Sequence, residues 1–94
     1  MADIGPGESN NDNFKKKNKL VLAVDPGKDK CGFAVLDYDL RVLSRNIIKT
    51  VEIESYLPVL FNNYNIRDIV IGNGTFSKKI EQLLKGFSEM PISI

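Results

Sequence analysis

Apolar residues fall along this chain in two rhythms, and the change from one to the other marks its elements. Leu20-Val21-Leu22-Ala23-Val24 is short and continuously apolar, and Asp25-Pro26-Gly27 closes it, which is the pattern of a buried strand. Gly32-Phe33-Ala34-Val35-Leu36 is a second such run, ended by Asp37-Tyr38-Asp39. A third extends from Val42 to Ile48, apolar at Val42, Ile47 and Ile48 but polar at Ser44, Arg45 and Asn46, as suits an edge strand. The short connectors between the three predict an antiparallel meander.

A helical period takes over at Ile53, with Ile53, Tyr56, Leu57, Leu60 and Tyr64 on one face. If Ser55 caps this helix, Pro58 falls in its first turn, where a missing N–H costs nothing; a helix starting earlier would have to kink. Asp68 to Gly72 reads as a fourth strand. Asn73-Gly74-Thr75 then turns the chain into a second helix, whose Ile80, Leu83, Leu84 and Phe87 repeat at i, i+3, i+4 and i+7, with Thr75 or Ser77 as its cap. Gly86 weakens the last turn, Pro91 forbids continuation, and Ile92-Ser93-Ile94 begins a fifth strand.

The order βββαβαβ makes both helices crossovers between parallel strands, and crossovers of one hand place them on the same sheet face. Strands one, two and four are nevertheless apolar at both parities, as strands covered on both sides are. One face of the sheet is therefore expected to be bare. The expectation is of a C-terminally truncated α/β domain, with self-association through that face as a consequence.

Composition narrows the chemistry. There is no histidine and a single cysteine, Cys31, so imidazole catalysis, an internal disulfide and a structural zinc site all drop out. Carboxylates with a hard metal ion are what remain for an enzyme. Residues 1–19 are rich in Gly, Asn, Asp, Ser and Lys and read as a disordered tail, leaving 20–94 as the folded domain. The tail carries four lysines against three acids. The rest holds nine of the 13 basic and nine of the 12 acidic residues, and a neutral domain makes no electrostatic case for nucleic acid. No stretch is apolar enough for a membrane span or a secretory signal, so a cytoplasmic protein with a reduced thiol is expected.

Two segments could carry chemistry. In Asp25-Pro26-Gly27-Lys28-Asp29-Lys30-Cys31-Gly32, Pro at the second position and Gly at the third suit a type II turn begun by Asp. Alternatively Asp25, held at the rim of a rigid sheet, is a ligand for a divalent metal. In Ile71-Gly72-Asn73-Gly74-Thr75-Phe76-Ser77, two glycines between strand and helix make either a capped turn or a place where a phosphate or another backbone comes close. Neither dinucleotide-fingerprint nor P-loop spacing is present.

Together the two segments resemble the YqgF family of RNase H-like proteins, described as Holliday junction resolvases and as nucleases that trim 16S ribosomal RNA precursors. A related domain of the transcription accessory protein Tex carries a Gly-Asn-Gly-Thr turn and a helix Glu similar to Asn73 to Glu81. The resemblance spans Leu20 to Ile94. It implies an RNase H-like mixed five-stranded sheet and an acidic site binding Mg²⁺ or Mn²⁺, with Asp25 as its first-strand catalytic carboxylate and metal ligand. Gly27, Lys28, Lys30, Asn73, Gly74 and Thr75 would then face the phosphates of branched DNA or precursor rRNA. Asn73 stands where many such enzymes place an acid, and the family's further acids lie beyond the fifth strand, with Glu81 as a fallback ligand. Two alternatives remain: a non-catalytic RNase H-like module that docks nucleic acid or protein, and half a domain of an actin-like ATPase, whose Asp-x-Gly hairpin holds phosphates.

Overall fold

The computed structural model describes residues 18–87 and 92–93. Most of the tail expected at residues 1–19 lies outside the described residues, as do Pro91 and Ile94. The elements run β1 (Leu20–Asp25), β2 (Lys30–Leu36), β3 (Val42–Lys49), a 3₁₀ turn (Thr50–Glu52), α1 (Ile53–Asn63), β4 (Ile66–Ile71), α2 (Ser77–Phe87) and β5 (Ile92–Ser93). They form one five-stranded sheet in the order β3-β2-β1-β4-β5. β1, β2 and β3 make the antiparallel meander, β4 and β5 join parallel, and β3 is an edge strand as its mixed polarity predicts.

One parity of the strands builds the core. Leu20, Leu22 and Val24 of β1, Cys31, Phe33 and Val35 of β2, and Ile69 and Ile71 of β4 are buried together with Ile53, Leu57 and Leu60 of α1 and Ile80 and Leu84 of α2. Both helices therefore cover the same face. Phe33 meets Tyr56 edge-on with ring centroids 5.1 Å apart, and Phe61 packs on Phe87 at 5.0 Å, tying the ends of the two helices together.

The other parity is a different surface. Val21, Ala23 and Asp25 of β1 lie in register with Leu36, Ala34 and Gly32 of β2, and Val70 of β4 lies beside Ala23. No described helix crosses this face, and Val70 and Ile47 are 46% and 74% exposed. Tyr38, in the β2–β3 turn, reaches over its lower end and donates its hydroxyl to Asp68 Oδ2. That turn is closed by Asp37, whose Oδ1 accepts from Asp39 N and Arg41 N, both at 2.9 Å, and it places Leu40 at φ 67°. Among the described residues no helix is long and apolar enough to cross a membrane.

Three local expectations are corrected. α1 begins at Ile53, where the helical period starts, but Ser55 does not cap it, because the 3₁₀ turn already winds the chain; the Ser55 hydroxyl donates back to Glu52 O at 3.1 Å. Pro58 thus lies inside the helix and cannot donate to Glu54 O, but both residues are on the exposed side, where water can take the orphaned carbonyl. Neither Thr75 nor Ser77 is an N-cap acceptor: Ser77 is the first residue of α2, and its hydroxyl donates to Gly74 O at 2.8 Å. The Asp25–Lys28 segment is not a type II turn, since that requires positive φ at Gly27, and no glycine among the described residues has it.

Candidate functional site

Parallel pairing of β1 with β4 sets the site. Val24 lies in register with Ile71, so the next residues, Asp25 and Gly72, leave the sheet side by side at the same end. Gly72 N donates to Val24 O at 2.8 Å, extending the ladder one step past β4. A Cβ on Gly72 would lie 3.5 Å from Val24 O, 3.6 Å from Pro26 Cδ and 3.9 Å from Asp25 Oδ1. The glycine keeps the space beside the Asp25 carboxylate open. Asp25 is exposed at this rim, and Asn73, Gly74 and Thr75 follow as an exposed turn into α2. Around Gly74 the space is open, with no atom within 4 Å of where its Cβ would be.

The hairpin beside Asp25 is held by contacts that the sequence does not announce. Gly27 is required by space: a Cβ there would lie 2.2 Å from Lys30 O. Its carbonyl accepts from the Thr50 hydroxyl at 3.2 Å, and its N–H points to Cys31 Sγ at 3.4 Å. Cys31 Sγ in turn lies 3.5 Å from Thr50 Oγ1, and Thr50 N donates to Asp29 O at 2.8 Å. The end of β3 and the buried thiol thereby pin the loop that follows Asp25. Cys31 has the burial of a small hydrophobe with a weak S–H donor, a packing role and not a reactive one.

The structure brings Asp25, Gly27 and the Gly72–Thr75 turn to one sheet end, as the site reading requires. Lys28 sits exposed in the hairpin and Lys30 opens β2. Among the described residues no hydrogen bond or ion pair joins Asp25 to Lys28, Lys30, Asn73 or Thr75. Glu81, the fallback ligand, pairs with Lys85 at 3.3 Å, one turn along α2. Nor do three potential metal-binding side chains stand together among the described residues. Asp25 alone offers one carboxylate, which falls short of the near-octahedral oxygen set that Mg²⁺ demands. These residues by themselves do not fit a complete metal centre.

Two basic residues were missed by reading the sequence. The row Asp25–Gly32–Ile47 runs across β1, β2 and β3, and on β3 Arg45 and Lys49 flank Ile47 on the same face. Arg45, Ile47, Gly32, Asp25 and Gly72 line one shallow groove. A strand alternation of two would have flagged Arg45, Ile47 and Lys49 as sharing a face, but not which face.

The family described as the Tex protein YqgF-like domain matches residues 19–92, a span that includes both the hairpin and the Gly72–Thr75 turn. An uncharacterised protein of Bacillus subtilis, YdcI, is 34% identical over 76 residues, which cover 72% of this chain. The chain spans 11% of that relative's length. The mixed five-stranded sheet and its two helices are the RNase H-like arrangement that the two segments imply.

Proposed function

The chain belongs to the YqgF-like domain family of Tex proteins, and from that premise we propose that the domain docks structured nucleic acid at the sheet end bearing Asp25 and the Gly72–Thr75 turn. The observation that carries this reading is the parallel β1–β4 register, which puts a rim carboxylate beside Gly72, the glycine that opens the turn. Open space at Gly72 and Gly74 offers the close approach of a phosphate, and the Thr75 hydroxyl, with no partner among the described residues, offers a donor for its oxygens. Asp25 lies where it could help hold Mg²⁺ or Mn²⁺ against a phosphate. The donor set described here is too small to derive a hydrolytic step through the metal. Docking is therefore the part of the nuclease reading that these residues can perform alone.

The second reading, metal-dependent phosphodiester hydrolysis by the longer protein, rests on the position of Asp25 at the end of the central strand β1, the place a first-strand catalytic carboxylate would occupy. One set of measurements addresses both. Fluorescence anisotropy with a four-way DNA junction, a plain duplex and a precursor-rRNA hairpin, at about 150 mM salt, is expected to give dissociation constants of roughly 10⁻⁶–10⁻⁴ M. Asp25→Asn should tighten binding, because it removes a negative charge facing the phosphates. No binding to any of the three would overturn the docking reading. Mn²⁺-dependent cleavage that disappears in Asp25→Asn would establish the hydrolytic one.

A further inference from the structure

The cations of this neutral domain are not spread evenly. Arg45 and Lys49 lie on the open face of β3, and Lys30 is the cross-strand partner of Lys49 on the same face. Like charges directly opposed on neighbouring strands destabilise a sheet. No carboxylate lies within 4 Å of any of the three among the described residues, whereas Arg41 and Lys85 are both ion-paired. The edge of the sheet thus holds a positive row with an electrostatic cost that no ion pair among the described residues offsets.

The row has a definite place relative to the site. Along a strand rising about 3.3 Å per residue, Arg45 and Lys49 stand roughly 13 Å apart. They bracket Ile47, which shares the cross-strand row of Asp25. Two strand spacings, roughly 10 Å, separate that row from the carboxylate. Arg45 and Asp25 line the same groove, so a polyanion lying along β3 passes alongside the candidate site.

We infer that Arg45, Lys49 and Lys30 form a track for the sugar–phosphate backbone of a nucleic acid duplex, gripped without regard to sequence. The inference rests on the docking reading above and adds where on the domain the backbone runs. Charge complementarity selects a polyanion. The duplex is selected by what the row lacks: among the described residues this stretch of the open face has no aromatic ring on which an unpaired base could stack. The polar neighbour that could read a base edge, Asn46, points to the other face, where its amide lies 3.3 Å from the Tyr56 hydroxyl. Ile47 offers only van der Waals contact to sugars.

The test is the salt dependence of duplex binding by the 94-residue chain, followed by anisotropy. Arg45→Gln, Lys49→Gln and Lys30→Gln should each weaken binding severalfold on every sequence and reduce the slope of log K against log salt by about 0.9. Lys85→Gln, on the helix layer behind the sheet, should change neither. All four positions are exposed, so far-ultraviolet circular dichroism should be unchanged throughout. In the free protein Lys49→Gln should raise Tm, since it dissolves the opposed pair, a readout that a structural lysine would move the other way. If the chain binds duplex but the slope ignores Arg45 and Lys49, or if Lys85→Gln reduces it equally, the track is wrong and the docking reading survives. If a single strand of the same length binds as tightly, the duplex assignment is wrong. A chain that binds no nucleic acid removes both readings together.

Discussion

The two faces of this sheet are made from the same strands and obey different rules. On the helix side, apolar side chains alternate along β1, β2 and β4, meet those of the helices and are almost fully shielded: Leu20, Leu22, Ile53, Ile80 and Leu84 are 0% exposed. On the open side the same strands present Ala23, Gly32 and Ala34 at the centre, with Asp25 at one end and the Tyr38–Asp68 contact at the other. The helix side is where stability is concentrated. The open side combines modest apolar area with unpaired charge and small residues, a composition that stabilises little but leaves room for a partner. A fold can keep such a surface only if the opposite face supplies the stability.

The sharpest way to break the comparison is to truncate one aliphatic side chain to alanine on each face. Leu22→Ala should cost about 2–5 kcal/mol in urea unfolding, the range for a buried aliphatic side chain that leaves a cavity. Val21→Ala, one residue away on the open side, should cost less than about 1 kcal/mol, because the deleted methyls are only half-buried and no cavity is closed over them. Equal costs would mean that the open face is as tightly covered as the core. Next in size, Gly27→Ala should destabilise by about 1–3 kcal/mol, since the added methyl meets Lys30 O in the hairpin that Thr50 and Cys31 hold. At Gly74, where nothing lies within 4 Å, the same substitution should change stability by under about 0.5 kcal/mol, which separates a glycine needed by the fold from one left free for a ligand.

Smaller effects sharpen the picture of the open face's lower end. Leu40 is 78% exposed and held at positive φ, so Leu40→Gly should stabilise by about 0.5–1 kcal/mol, the relief of left-handed strain less the added freedom of the unfolded chain. Tyr38 should ionise above the usual tyrosine range, first because its hydroxyl donates to Asp68, then through desolvation and the charge of Asp68, against a lowering by Arg67. A group whose folded value is raised contributes stability that is complete below its unfolded pKa of about 10 and is lost as pH climbs through the folded value. The stability difference between wild type and Tyr38→Phe should therefore be constant through neutral pH and shrink above pH 10. In Asp68→Asn the tyrosinate absorbance of Tyr38 should appear at lower pH. An unchanged titration would show that the contact does not persist in solution.

Much of the fold was legible because it is written locally. The apolar runs at Leu20–Val24 and Gly32–Leu36 and the helical repeat from Ile80 mark elements whose side chains meet the core within their own period. The element boundaries moved where pairing reached further than hydrophobicity: β2 begins at Lys30, because Lys30 and Cys31 still face Lys49 and Ile48. The cap of the first helix was misread for a related reason. Ser55 and Pro58 suggest a cap by their types, but the 3₁₀ turn from Thr50 begins the winding earlier.

Sequence alone determined the strand–helix order, the edge character of β3, the one-sided burial of the sheet and the identity of Asp25 and the Gly72–Thr75 turn as the segments to watch. Each of these depends on residue types read within one element or across a short connector. Tertiary structure alone decided what those segments stand beside. Gly27 is fastened by Thr50, 23 residues away, and Asp25 reaches Gly72 only through the β1–β4 register. The same holds for charge. A count over residues 20–94 is neutral and hides the row of Arg45, Lys49 and Lys30, because a count ignores direction. A strand register, set by hydrogen bonds between distant segments, is what turns three scattered cations toward one face.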